Sequence, residues 1–314
     1  MTATRRAVLR GFGLLALVPA LEANAQAVAA QTSPAERKVA LVIGNAAYSA
    51  LTPLANPLND AAEVAASLRA HGFQVTRIDN AGHAELTRGI AEFRARLKGA
   101  AVGLFYYSGH GFQTLRLDTH QTVNHIVPVD FRFADKADHL ASVPLDQVID
   151  ALRTEARVGL VFMDACRDDP AIAAAVQQSS KSTRGVRFGA GLSSVPATAQ
   201  PLAQANAAPA PGNSPAGILI AYSTDPGNVA REGLAGDKLS PFTRALTTHI
   251  RTPGLSLSEI MGRVSTDVAN STKGTQTPWN TSSLTAATYQ FAQKPKPPAP
   301  PISGISIGAG GITF

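Results

Sequence analysis

Between residues 38 and 291 the apolar positions fall into two alternating rhythms. Short apolar runs at 39–43, 102–107, 158–163 and 217–222 have the length and content of strands buried on both faces, with 73–78 as a further strand. Between them, Ala61, Val64, Ala65 and Leu68, then Leu86, Ile90, Phe93 and Leu97, then Leu145, Val148, Ile149 and Leu152 recur at helical spacing. Two more helices are expected over 241–250 and 257–270, the second with Leu257, Ile260, Met261, Val264 and Val268 as its apolar face. Asn56 or Asn59 can cap the first helix, and His71-Gly72 ends it. This alternation of strand and helix predicts an α/β domain on a mainly parallel sheet. After residue 111 a polar excursion with Arg116, Asp118, His120 and His125 returns through Ile126-Val127-Pro128-Val129-Asp130, which predicts a short hairpin. A last strand is expected near 287–291.

Composition divides the rest. From 175 to 214, Ala, Gln, Ser, Pro and Gly dominate, a content that buries too little apolar surface to hold one conformation, so a low-complexity mobile loop is expected there. Residues 26–37 read as a flexible linker, and 293–314, rich in Pro and then Gly, as a disordered tail. Residues 1–25 read as a leader: Thr4-Arg5-Arg6-Ala7-Val8-Leu9-Arg10 precedes an apolar stretch at 11–21 and the small-x-small pattern Ala23-Asn24-Ala25. That stretch is far shorter than the ~20 residues of a membrane helix, so no stable membrane insertion is expected after signal cleavage. The paired arginines point to the twin-arginine export machinery, and hence to a periplasmic or secreted protein.

Loss of the leader removes three arginines and one glutamate, so the formal charge falls from +6 to +4. The remaining charge is spread along the chain, with no like-charged run to suggest a nucleic-acid partner. The single cysteine, Cys166, excludes an internal disulfide and cysteine-based zinc sites. His71, His83, His120, His125, His139 and His249 show no metal spacing.

A lone cysteine is more often an inert core residue than a nucleophile. Here the context reverses that expectation. Cys166 ends an apolar run in Asp164-Ala165-Cys166-Arg167-Asp168, and the run at 102–107 ends similarly in Ser108-Gly109-His110-Gly111. Neighbouring strands lie roughly 4.8 Å apart, so a histidine at the end of one reaches a thiol at the end of the next. A thiol with pKa about 8.5 is only a few per cent thiolate at neutral pH and needs such a partner. His110 is therefore the candidate general base or imidazolium partner of Cys166, and glycine at 111 lets the backbone approach a substrate closely. Asp164 and Cys166 are two apart and so project to one side of a strand, where a carboxylate beside the nucleophile suits a cationic substrate side chain.

Over 38–292 the chain resembles the caspase-like cysteine peptidases, in particular the bacterial metacaspase-like members. The motifs that carry the resemblance are Val42-Ile43-Gly44-Asn45-Ala46-Ala47-Tyr48, Asn59-Asp60-Ala61, Tyr106-Tyr107-Ser108-Gly109-His110-Gly111, Ile126-Val127-Pro128-Val129-Asp130, Asp164-Ala165-Cys166-Arg167-Asp168 and Gln276-Thr277-Pro278-Trp279. A histidine about 50 residues before the cysteine is itself a caspase mark. The resemblance implies a caspase-hemoglobinase-like three-layer sandwich: a sheet of about six strands flanked by helices, with a large-subunit-like portion at 38–174 and a small-subunit-like portion at 215–292. It also implies a cysteine endopeptidase that forms a thioester acyl-enzyme, with the backbone N–H groups of Gly111 and Cys166 as its oxyanion hole.

Asp60 and Asp164 match the S1-pocket acids of the arginine- and lysine-specific members, whereas caspases proper carry glutamine in place of Asp164. Protein or peptide substrates with Arg or Lys at the cleavage site are expected on that ground. Asp60 also reads as a helix first-turn acid, and Asp164 as a strand-end acid bonded to backbone. Tyr222, Ser223 and Asp225 fall where the family's substrate-backbone strand and specificity loop lie. Lys181, Arg184 and Arg187 fall inside the 175–214 loop and are candidates for self-cleavage. Several family members respond to calcium, but their paired aspartates are not evident among Asp130, Asp135 and Asp138, and no metal or other cofactor is predicted. Two other readings stay open. One is a catalytically silent caspase fold used as a binding or scaffold module, and the other is transfer of the acyl group to an amine instead of water.

Overall fold

Side chains that alternate across one sheet give this protein two cores. In β1 (Lys38–Gly44), Val39, Leu41 and Ile43 enter one core, while Ala40 and Val42 enter the other. The same division holds in β3 (Ala100–Arg116), β6 (Ala156–Cys166) and β8 (Gly217–Tyr222). The computed structural model describes residues 37–116, 122–132, 141–166, 186–189, 216–224, 230, 233, 236–284 and 289–294. With β2 (Phe73–Asp79) and β9 (Trp279–Ser282) the main sheet has the order β2-β1-β3-β6-β8-β9, parallel except for β9 at one edge. Helices α2 (His83–Leu97) and α3 (Asp146–Glu155) cover one face, and α1 (Pro57–Ala70), α4 (Pro241–Ile250) and α5 (Leu257–Ser271) the other. This is the α/β sandwich expected, with six strands in its main sheet.

The chain leaves β1 toward one face through α1 and enters β3 from the other through α2. The carboxyl ends of β1 and β3 therefore flank a topological switch point, the place where ligands bind in open α/β sheets. Gly44 closes β1 against the start of α1: a Cβ there would lie 2.4 Å from the Pro57 carbonyl oxygen. That close approach brings the first turn of α1, with Asp60, to the switch point. The helix starts at Pro57, with Asn56 in the cap position and no side-chain cap bond.

Three features differ from expectation. First, β3 does not end at His110 but continues to Arg116: after His110 it changes from parallel pairing with β6 to antiparallel pairing with β4 (Thr122–Ile126), and β5 (Val143–Pro144) adds to the hairpin. Second, within the expected mobile loop, Val186–Gly189 forms β7, antiparallel to β3 with Arg187 opposite Leu115. Val186 and Phe188 supply the strand propensity of that segment. Third, the last strand among the described residues is Trp279–Ser282, and 289–291 are not strand; Tyr289 meets Phe291 edge to face, and Phe291 lies against Phe73. The leader, nearly all of the linker, the tail after Lys294 and the rest of 175–214 lie outside the described residues. Among the described residues, no helix is long and apolar enough to cross a membrane.

Candidate active site

The β3–β6 register places His110 opposite Cys166 and, one step back on the same face, Ser108 opposite Asp164. His110 is almost fully buried, and its ring nitrogen Nε2 lies 2.8 Å from the carbonyl oxygen of Thr52. A carbonyl can only accept, so Nε2 carries the proton and, in the neutral ring, Nδ1 carries the lone pair. The Tyr48 ring lies against the imidazole with centroids 4.5 Å apart. The His110 backbone N–H donates to the Tyr48 hydroxyl at 2.8 Å, and the Tyr107 hydroxyl donates to the His110 carbonyl at 2.7 Å. Gly109 makes this clamp feasible: at φ +156° a Cβ would come within 2.6 Å of both tyrosine oxygens. Gly111 follows within β3, opposite Ile126. Cys166 is the last residue of β6.

A second cluster lies on the α1/α4 face of the same strand ends. Asp60 Oδ2 accepts from the Ser108 hydroxyl at 3.2 Å, and Oδ1 accepts from the Ser240 backbone N–H at 2.9 Å. Asp164 Oδ2 accepts from the Ser240 hydroxyl and, at 2.9 Å, from the Thr243 hydroxyl. Tyr106 lies 2.5 Å from the Thr243 hydroxyl oxygen. Because Thr243 gives its proton to Asp164, Tyr106 gives its own to Thr243. Burial pushes the Tyr106 phenol well above its ordinary pKa, with Asp164 and Asp60 adding to the effect, so it remains a donor. The strand-end and first-turn positions expected for the two acids are both observed, and their carboxylates meet in one hydrogen-bonded group.

At the end of β8, Tyr222 is buried, accepts from the Asn124 amide at 3.1 Å and stacks on Trp279. Asn124 in turn accepts from Gln113, so the histidine-bearing hairpin and β8 are joined by buried polar contacts. The Ser223 N–H donates to the Met163 carbonyl, and its own carbonyl accepts from the buried Gln276 amide at 2.7 Å. Asp225, Lys181 and Arg184 lie outside the described residues, and of Arg187 only the strand position is described. Among the described residues no three His, Cys, Asp or Glu side chains gather as a metal ion requires.

Sequence reasoning did not single out Thr52, Ser240 or Thr243. Thr52 acts through a backbone carbonyl, which leaves no mark in the side-chain pattern. Ser240 did leave one: Ser240-Pro241 has the form of an N-cap followed by proline at the first helical position.

A family model described as a caspase domain matches residues 37–289. Among curated proteins, mucosa-associated lymphoid tissue lymphoma translocation protein 1 from Homo sapiens and its Mus musculus homolog are each 33% identical over 135 residues. The match covers 42% of this chain and 15% of each relative, so the chain spans a small part of their length. Among solved structures, caspase-1 from Spodoptera frugiperda has a TM-score of 0.50 at 17% identity, over 82% of this chain and 91% of that one. A Geobacter sulfurreducens protein has a TM-score of 0.52 at 17% identity, over 83% and 95%. These two likenesses concern the fold.

Proposed function

The chain belongs to the caspase-domain family of cysteine peptidases, and from that premise we propose that it is an exported endopeptidase that cuts after Arg or Lys with Cys166 as nucleophile and His110 as its proton partner. The observation that carries this reading is the β3–β6 register. One register sets 110 opposite 166 and, two residues earlier, sets the Asp60-bonded Ser108 opposite Asp164. A proton-transfer pair and an acidic pocket thus arise side by side from adjacent strand ends.

In the proposed reaction the Cys166 thiol gives its proton to His110 Nδ1 and the sulfur attacks the scissile carbonyl carbon. The Thr52 carbonyl holds the Nε2–H, which keeps the tautomer that leaves Nδ1 basic and steadies the imidazolium that forms. The backbone N–H groups of Gly111 and Cys166 receive the oxyanion. The C–N bond breaks, the leaving amine takes the proton from His110, and a thioester remains. Water then gives a proton to His110 and attacks the thioester, which releases the acid and restores the thiol. Asp60 and Asp164 hold the cationic side chain of the residue before the cut. Tyr222, Ser223 and Asp225 border the substrate backbone, and cleavage after Lys181, Arg184 or Arg187 is the self-processing step. The leader directs the folded protein through the twin-arginine route.

The test is turnover of fluorogenic peptides ending in Arg, Lys, Asp or Ala, with Cys166→Ala protein alongside. Turnover confined to Arg and Lys and absent in the variant is expected. Turnover after Asp or Ala, or turnover that survives Cys166→Ala, would contradict the proposal.

A further inference from the structure

Ser240 contacts both acids of the pocket through two different groups. Its backbone N–H donates to Asp60 Oδ1 at 2.9 Å, and its hydroxyl donates to Asp164 Oδ2. The hydroxyl oxygen also accepts the Thr243 N–H at 2.9 Å, so Ser240 is the side-chain N-cap of α4. That bond orients the hydroxyl: with its lone pair turned to the helix, its proton is directed at Asp164. The residue is buried, and the position lies 180 residues from Asp60 and 76 from Asp164 along the chain.

We propose that Ser240 is a positioning residue for substrate specificity, one that locks the Asp164 carboxylate in a fixed relation to Asp60 so that the pair grips a cationic side chain. This rests on the reading of Asp60 and Asp164 as the pocket for Arg or Lys. Two carboxylates close together repel, and side by side they hold a cation well only if their spacing and tilt are set beforehand. Ser240 and Thr243 supply donors to one acid, Ser240 and Ser108 to the other, and the positive end of the ten-residue helix α4 faces both. The two contacts are separable. Any residue at 240 except proline keeps an N–H for Asp60, whereas only a hydroxyl side chain such as Ser or Thr both caps α4 and donates to Asp164.

Glycine is a tolerable N-cap, so Ser240→Gly removes the hydroxyl donor while it largely preserves the start of the helix. Contacts in the pocket hold the substrate equally in ground and transition states, so their loss appears in KM rather than kcat. For an Arg-terminated peptide, Ser240→Gly is expected to raise KM about tenfold, from the loss of one hydrogen bond to a charged group, with kcat little changed and a cooperative melt retained at a lowered midpoint. Ser240→Thr keeps the hydroxyl and restores KM. Two results would each overturn the proposal: an unchanged KM in Ser240→Gly, whether or not kcat falls, or Ser240→Thr behaving like glycine. A wild-type protein that fails to cleave after Arg or Lys would overturn the pocket reading itself, and with it this proposal, before any variant is compared.

Discussion

Asp164 is the residue on which the proposed specificity turns. The residue is nearly fully buried, yet it lies two residues before the end of a strand whose last position is Cys166. A buried carboxylate is stable only where donors surround it, and here Ser240 and Thr243 provide them. Asp164→Asn keeps the shape and removes the charge. The expected effect is a fall of about 100-fold in kcat/KM for Arg-terminated peptides, in the range for breaking a desolvated charge pair; a parallel assay of both proteins checks it. Much of this cluster was legible in the chain, since Asp60, Ser108, His110, Asp164 and Cys166 stand in short motifs that end predicted strands or open a helix. What was not legible acts through backbone or over long separations. The Thr52 carbonyl lies 58 residues before the histidine whose tautomer it sets, and no side-chain pattern announces it.

The elements divide by how strongly a local pattern dictates them. The helices begin and end where apolar spacing, caps and glycine direct, and α5 is the clearest case: Ser256 and Glu259 form a reciprocal capping box. The Ser256 N–H and hydroxyl hold the exposed Glu259 carboxyl below its ordinary value. As pH falls, the unfolded chain therefore takes up this proton before the folded one does. The box contributes stability above the usual glutamate range, and that contribution is lost as pH drops through the folded-state value. Glu259→Ala is accordingly expected to melt below wild type at neutral pH, with the gap between the two narrowing below about pH 4; thermal melts across pH check this. Strands with polar or glycine-rich ends were harder to delimit. Ser108-Gly109-His110-Gly111 reads as a stop, yet β3 continues because the return segment 122–126 offers it an antiparallel partner far along the chain. The Tyr289 and Phe291 alternation resembles a strand but serves to fill the core beside Phe73.

For the molecule as a whole, the sheet brings together segments that the chain separates. β6 and β8 pair over six positions from Val158 opposite Gly217 to Met163 opposite Tyr222, although residues 167–216 intervene. Both cores also cross this seam, with Val161 and Ile220 in one and Phe162 and Ala221 in the other. A single cut by an added protease between 190 and 215 is therefore expected to leave two fragments that co-elute on size exclusion under native conditions and separate only in denaturant. The same seam places β6, which ends at Cys166, between the strand that carries His110 and the strand that ends at Tyr222, so the proposed chemistry depends on the assembled sheet and not on any one segment. The most direct test of the central claim is intact-mass analysis after treatment with a peptide ending in an arginyl electrophile. The account predicts one adduct, mapped to Cys166, that is absent in Cys166→Ala, strongly slowed in His110→Ala, and not formed by the matched aspartyl reagent. Equal labelling by the arginyl and aspartyl reagents, or no loss of rate without His110, would contradict it.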